Sequence, residues 1–441
     1  MSVFTKPTYS QPWWKEPTKD QWYAYTAAWL GWTLDAFDFT VFLVLIVPIA
    51  KEFDAPLTWV ALVGTLTLWM RLVGAVASGW MADRMGRRAP LMISILWYSI
   101  CNFIAGFSPT FLFLLFFRTL LGIGMGAEWP AGAALAMETW PTRSRGLMSA
   151  VLQNSWAIGY LISALLYATI YDYLGWRGML WLGVLPALVV VWIRFYVKEP
   201  EIWVENQRQQ KEQSAEIRAP LVAIFQRKLI WNTVTACIWM ASGFITYYAT
   251  FGLFATWLTK DLKMSAAAVG WPLVFANIAT FVSAFLWGAL ADKFGRRWAM
   301  IIPAGIGLLV TPLYLMSTDY TMIAVFFALQ GAFAGSMYTQ IPAYMNERFP
   351  TEVRATASAF CYHQGAIFGG LVPLVVTWVA VDWGFGFALP MMICSAAAIC
   401  CYIAALLAWP DTHGQEMTAD LLLAPVAHGP GATIEAGRPA R

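Results

Sequence analysis

The chain has 441 residues, 59% of them hydrophobic and only 12% charged, where an ordinary soluble protein carries about 25% charged residues. No soluble core of this size hides that much apolar surface, so the composition points to an integral membrane protein and away from a soluble enzyme. A net charge of +3 and the lack of a Walker-type phosphate loop argue against a nucleic-acid partner and against ATP-driven pumping.

Residues 1–21 form a polar, aromatic N-terminal segment without an apolar signal core, so no cleaved secretory peptide is expected. Apolar segments of spanning length follow at 22–49, 57–81, 89–107, 110–137, 145–170 and 177–197. A polar, charged stretch at 198–228 reads as a linker, and its end, LVAIFQRK, as a short helix on the inner leaflet. Six more apolar segments lie at 229–259, 266–290, 298–316, 321–345, 354–379 and 385–408. Each has the roughly 20 residues that a helix needs to cross a ~30 Å hydrocarbon core. The tail, 409–441, is expected to be disordered in part, beyond Met417, where Ala, Gly and Pro dominate. Cys101, Cys237, Cys361, Cys394, Cys400 and Cys401 all fall inside apolar runs without metal or redox spacing, and read as packing residues.

One string occurs twice. GWMADRMGRR from Gly79 returns as GALADKFGRR from Gly288, and ETWPTRSRG from Glu138 returns as ERFPTEVRA from Glu347, both 209 residues later. A repeat in one register means a duplicated half, and it supplies a ruler for comparing the halves. The expected fold is therefore all-α: twelve transmembrane helices in two pseudo-symmetric six-helix halves, 22–197 and 229–408. Lys and Arg number 22 on the face that carries the termini and repeated loops, against 4 on the other, which places that face and both termini in the cytoplasm.

The repeated G-x-x-x-D-R-x-G-R-R loop, the segment Arg118-Thr-Leu-Leu-Gly122-Ile-Gly124-Met-Gly126 and Pro410-Asp-Thr-His-Gly414 resemble the signatures of the major facilitator superfamily over residues 22–414. Leu34-Asp35-Ala36-Phe37-Asp38-Phe39 is similar to an element of its proton-coupled organic-acid carriers. The run GIGMGAEWPAGAALAMETWPTRSRG, with KEPEIW further on, is most similar to the sialate/proton symporter family. The resemblance implies a multi-pass carrier of the bacterial inner membrane that works by alternating access. It would take up a small organic acid anion, such as lactate, together with a proton, as a monomer with no cofactor beyond that coupling proton. Bacterial sialic acid members carry two extra central spans, and the short segment here favours a smaller carboxylate. An aromatic acid or a sialic acid remains the alternative substrate. In the family, the loop aspartate (Asp83, Asp292) meets a helix N-terminus and a nearby arginine across the half interface. Arg84, Gly86, Arg87, Arg88, Glu138, Arg143, Arg145, Gly295, Arg296, Glu347 and Arg354 fit the same gating network, and Gly79 and Gly288 allow close helix approach.

Five ionisable residues lie inside spans: Asp35, Asp38, Arg71, Arg118 and Glu128. Each costs about 2.5–3.5 kcal/mol to insert, so such groups face a cavity and pair. Their counterparts on the ruler are Phe244, Tyr247, Thr280, Phe327 and Met337, none of them charged. Depths taken from a rise of ~1.5 Å per residue suggest the pairs Asp38–Arg118 and Arg71–Glu128. Three carboxylates against two guanidiniums leave one acid over, and protonating Asp38 or Asp35 would free Arg118 for a substrate carboxylate. Such pairs also serve as purely structural locks.

Gln153 and Asn154 correspond on the ruler to Tyr362 and His363 and suggest a polar ring in the cavity, with interhelical bonding as the competing reading. Asn277, Tyr247, Tyr248 and Phe251 would line its apolar side, although aromatic packing is common in a chain with 25 Trp. Of the rival functions, a drug/proton antiporter lacks its Gly-Pro-rich span 5 here. A non-transporting membrane sensor would need a longer signalling tail, and no nucleophile–base or metal constellation supports an enzyme.

Overall fold

The computed structural model describes residues 12–423, apart from Ala215, Arg218 and Ser265. Twelve helices are long and apolar enough to cross a membrane: α1 (Lys19–Glu52), α2 (Leu62–Met85), α3 (Arg88–Ala105), α4 (Phe111–Thr139), α5 (Thr142–Tyr167), α6 (Thr169–Tyr196), α7 (Ile230–Lys260), α8 (Ala268–Phe294), α9 (Trp298–Leu315), α10 (Tyr320–Arg348), α11 (Arg354–Asp382) and α12 (Ala388–Leu407). The described residues contain no strand. The helical run across α5 and α6 reverses at Gly175, whose φ of 62° suits a residue without Cβ.

Small residues set the spacing inside each half. A Cβ built on Gly122 of α4 would lie 2.3 Å from the carbonyl oxygen of Thr67 on α2. In the second half, a Cβ on Gly331 would lie 2.2 Å from the carbonyl oxygen of Ala276. These positions are again 209 apart, so the two halves repeat the same close crossing in the same register.

The halves meet through a duplicated latch on the charged face. The Asp83 carboxylate accepts the backbone N–H of Ala355 (3.0 Å) and Thr356 (2.9 Å), in the first turn of α11. Asp292 accepts those of Gly146 and Leu147, both at 2.8 Å, where α5 turns from its opening 3-10 turn into α-helix at Arg145. Each carboxylate thus satisfies orphan donors at the positive end of a helix dipole. Glu138 bridges Arg87 and Arg354 at 2.7 Å each, and Glu347 meets Arg145 at 3.2 Å and Arg296 at 3.5 Å. The arginine beside each aspartate comes from its own loop, Arg87 at 3.1 Å and Arg296 at 2.5 Å, and not from across the interface as expected. Burial works against the Arg87 charge, but Glu138 and Asp83 outweigh it and hold the guanidinium above its ordinary range. Gly79 and Gly288 let the crossing helices touch: a Cβ there would lie 2.6 Å from Thr356 Cα and 2.7 Å from Ala150 Cβ respectively.

The loop ends are capped in parallel ways. Gly86 (φ 99°) and Gly295 (φ 106°) turn the chain. Glu199 then accepts the N–H of Arg87 and Arg88, and Asp411 those of Arg296 and Arg297. Burial pushes the Glu199 carboxyl up, against the pull of those two N–H groups. Two residues expected in the gating network meet groups outside it. Arg84 lies over the Trp80 ring at 5.2 Å, and Arg143 approaches Glu16 at 3.7 Å.

The linker and tail also differ from expectation. The longer linker helix is Glu201–Glu212, with only Pro220–Ala223 helical in the later stretch. Trp203 and Gln207 of that helix donate to the Asp83 carbonyl, and Asn206 donates to the Ala419 carbonyl at 2.8 Å. The tail as far as Leu423, expected to be disordered beyond Met417, forms a strap. Thr351 donates to the Thr418 carbonyl, and the Glu352 carboxylate accepts the N–H of Leu422 and Leu423. The rest of the tail lies outside the described residues.

The Gly122 crossing predicts a contrast between two glycines. Gly122→Ala should cost about 1–3 kcal/mol, the usual range for overpacking, read as a lower thermal midpoint in detergent. Gly305→Ala, where a Cβ meets nothing within 4 Å, should leave the midpoint unchanged or raise it.

Candidate substrate and coupling site

The buried charges of the first half form two clusters at membrane depth. In the first, Arg71 on α2 reaches Asp35 on α1, with Nη2 3.3 Å from Oδ1 and 3.2 Å from Oδ2. Met125 Sδ lies 3.4 Å from the same nitrogen. The guanidinium carbon is 5.2 Å from the Phe39 ring centre and 5.7 Å from that of Trp156, within cation–π range.

In the second cluster an amide stands between acid and base. Asn102 on α3 donates to Asp38 Oδ1 at 3.0 Å and accepts Arg118 Nη1 at 2.9 Å. Arg118 touches only the backbone oxygen of Asp38, at 3.4 and 3.5 Å, and packs over the Phe42 ring at 4.3 Å. Both pairs expected from depth are therefore corrected: Asp38 and Arg118 are joined through Asn102, and Arg71 pairs with Asp35 instead of Glu128. Depth gave one coordinate, and the direction in which each helix presents its side chain decided the partner.

Glu128 is the acid left over. Its residue is 1% exposed, and neither carboxylate oxygen has a hydrogen-bond partner among the described residues. It occupies a notch between α1 and α4, where a Cβ on Gly31 would lie 2.4 Å from Oε1 and one on Gly132 3.2 Å from it. It also lies within electrostatic reach of Asp35 and Arg71. A buried, isolated carboxylate is costly until a proton or a cation neutralises it.

Aromatic rings from both halves wall this region. Trp129 stacks on Tyr362 of α11 at 4.0 Å, Trp32 lies 4.9 Å from Trp156, and Phe244 meets the edge of Tyr362 at 5.2 Å. His363 bonds the Ala359 carbonyl through Nδ1 at 3.1 Å and sits 5.0 Å from the Tyr362 ring. Unpartnered buried polar atoms gather here: the indole N–H of Trp32 and Trp129, Arg71 Nε, Gln153 Oε1 and His363 Nε2. Such groups mark a site equipped to bond something polar.

The remaining sequence candidates fall elsewhere. Asn154 crosses the half interface to the Phe281 carbonyl at 3.1 Å. Asn277 folds back on the Leu273 carbonyl of its own helix. Tyr247 stacks on Phe251 at 5.8 Å and is 41% exposed. Tyr248 opens the single π turn of α7, Tyr248–Gly252, and lies within reach of the Arg71 charge. Sequence reasoning missed Asn102, Trp32, Trp129 and Trp156. The lone amide in span 3 was a usable signal for Asn102; the tryptophans were lost among 25.

The Asn102 bridge makes its own prediction. Asn102→Leu leaves Asp38 Oδ1 unpartnered and Arg118 Nη1 with only its long contact to the Asp38 carbonyl, and should cost about 1–3 kcal/mol, measured as a lower thermal midpoint. Asn102→Asp, adding a third charge beside Asp38, should be worse than Asn102→Gln.

Every hydrogen bond described between the halves lies between the charged face and the level of Asn154. A polar, aromatic-walled site at the junction of two repeats, with one face latched, is the layout of an alternating-access carrier. The family model described as Major Facilitator Superfamily matches residues 28–256 and 240–425. A probable 4-methylmuconolactone transporter of Cupriavidus pinatubonensis is 31% identical, over 81% of this chain and 83% of its own length. The cis,cis-muconate transport protein of Acinetobacter baylyi is 27% identical, over 86% and 92%. The sialic acid transporter NanX of Escherichia coli is 25% identical, over 88% and 94%. That match leaves too little of NanX for two additional spans, so the short central segment does not argue against such a substrate. The solved proton:xylose symporter XylE superposes with a TM-score of 0.68 at 17% identity, covering 91% of this chain and 98% of that one, which shows the fold. This chain is a transporter of the major facilitator superfamily, related to carriers of organic acids, and not an enzyme.

Proposed function

We propose that the protein is a proton-coupled symporter that takes up a small organic acid anion, with Arg71 as the anion-binding cation and Glu128 as the proton carrier. The observation that supports this most is the unpartnered Glu128 carboxyl beside the Arg71–Asp35 pair. A substrate carboxylate and an ionised Glu128 would compete for one positive field. The anion therefore binds well only once Glu128 holds a proton, which makes the two travel together. The Asp38–Asn102–Arg118 cluster, with its acid and base already held apart and bonded, acts as a structural partner that positions α1 against α3 and α4.

The excess of Lys and Arg on the latched face supports a cytoplasmic position for it, and on that reading the described state is closed toward the cell interior. Loading from outside, followed by release of the Asp83 and Asp292 contacts, would open the inner side. One chain supplies both halves of the latch, so the carrier works as a monomer.

The aromatic walls favour a flat, conjugated acid over lactate. Rings stack on planar partners, and the free indole N–H groups of Trp32 and Trp129 can bond an acceptor at the substrate's far end. Relatives named for muconate, methylmuconolactone and niacin transport agree with that second reading.

Uptake into proteoliposomes tests both levels. A pH gradient, acid outside, should drive accumulation of cis,cis-muconate or nicotinate more strongly than lactate or sialic acid. Removal of the Arg71 charge in Arg71→Met should lower uptake by about tenfold or more, the loss of a charge-assisted hydrogen bond. Glu128→Gln should still exchange substrate down its gradient but fail to concentrate it. Accumulation by Glu128→Gln under a pH gradient would end the proton assignment, and no flux of any acid would end the organic-acid reading.

A further inference from the structure

One buried arginine stands apart from the rest. Among the buried arginines, Arg71, Arg87, Arg145, Arg296 and Arg354 each touch a carboxylate, and Arg118 reaches Asp38 through Asn102. Arg348, at the charged-face end of α10, is 6% exposed and bonds only neutral groups. Its Nε donates to Asn232 Oδ1 at 2.7 Å, and its Nη2 to the Asn232 carbonyl at 3.0 Å and to Thr235 Oγ1 at 2.5 Å. The guanidinium carbon lies 5.2 Å from the Tyr344 ring centre and 5.0 Å from that of Trp409. Nη1 is buried without a partner, and no carboxylate among the described residues lies within ion-pair distance. A buried cation with no counter-ion is costly, and this one has no duplicate: the ruler sets Thr139 opposite it.

Arg348 also lines a cavity of about 330 Å³, with Lys228, Asn232, Trp409, Glu416 and Thr418 around it. That volume leaves room for a small hydrated ion. Lys228 is exposed at the rim and donates to the Leu422 carbonyl at 3.4 Å, so the strap from Met417 to Leu423 closes one side. Two latch residues, Glu347 and Arg354, form another wall, each already committed to ion pairs across the halves.

We propose that this cavity is a binding site for a phosphate group, carried by a free ion or by a lipid headgroup. Arg348 supplies a planar guanidinium and Lys228 an ammonium, a pair of cations suited to an oxyanion with more than one negative oxygen. Because the strap and the latch share the cavity wall, an occupied site stabilises the state in which the charged face is closed.

Thermal unfolding of the full chain tests this without measuring transport. Inorganic phosphate should raise the detergent-phase Tm relative to chloride at equal ionic strength, or phosphatidic acid in nanodiscs should do so relative to phosphatidylcholine. The first result names a free ion as the source and the second a headgroup. Arg348→Gln should abolish the rise, and Lys228→Gln should weaken apparent phosphate affinity by about tenfold, the loss of one charge-assisted bond. The proposal is overturned if neither arm raises the wild-type Tm, or if Arg348→Gln shows an equal rise. Should Arg348→Gln fail to fold, an unchanged affinity in the exposed-site variant Lys228→Gln overturns it instead.

Discussion

An ionised side chain inside a hydrocarbon layer has to be neutralised by something within a few ångströms, and the interior of this protein is organised by that constraint. In a hydrocarbon layer the local dielectric is low, and an isolated charge costs several kcal/mol. Arg71 answers with Asp35, and Arg118 with Asn102 and the Asp38 backbone. Glu128 has no such answer among the described residues. The unresolved term in this local balance is where a transported proton and a transported anion would act on each other. The glycines of α4 make it possible, because only helices in backbone contact bring α1, α2 and α4 side chains to one point.

The two halves divide this work unequally. Their frames are copies: the same glycine crossing, the same aspartate on the same helix N-terminus, the same Glu–Arg bridge, all in one register. The copied elements are those that must make and break contact symmetrically when two rigid bodies rock about a central site. The charges buried at the depth of the central site, Asp35, Asp38, Arg71, Arg118 and Glu128, all belong to the first half, while the second contributes the ring surfaces of Phe244, Tyr362 and His363. On the proposed function, one half would carry the electrostatic coupling and the other would shape the opposing wall.

Much of this was legible in the sequence, for identifiable reasons. The span count follows from segment length and the duplicated latch residues from the repeat, while the contact of each aspartate with a helix N-terminus came from the family resemblance and its arginine partner was misplaced. That Asp35, Asp38, Arg71, Arg118 and Glu128 form one set of functional candidates followed from their burial cost and from the lack of charged counterparts in the second half. Who pairs with whom did not follow, since helical rise fixes depth and leaves direction around the axis open. Asn102 was invisible as a bridge because one amide creates no period. The strap was misread because Ala- and Pro-rich composition says nothing about the Glu352 carboxylate and the linker amide that hold it. Arg348 was counted as an ordinary loop charge, although only its surroundings show that it lacks a carboxylate.

The central claim is that Glu128 carries a proton in the state closed at the charged face. Infrared difference spectroscopy on the purified carrier in lipid reads this directly, through the carbonyl stretch of a protonated carboxylic acid. Such a band is expected at neutral pH in the wild type, perturbed when a carboxylate substrate binds and absent in Glu128→Gln. A wild-type protein without the band, or a Glu128→Gln variant that keeps it unchanged, would contradict the account.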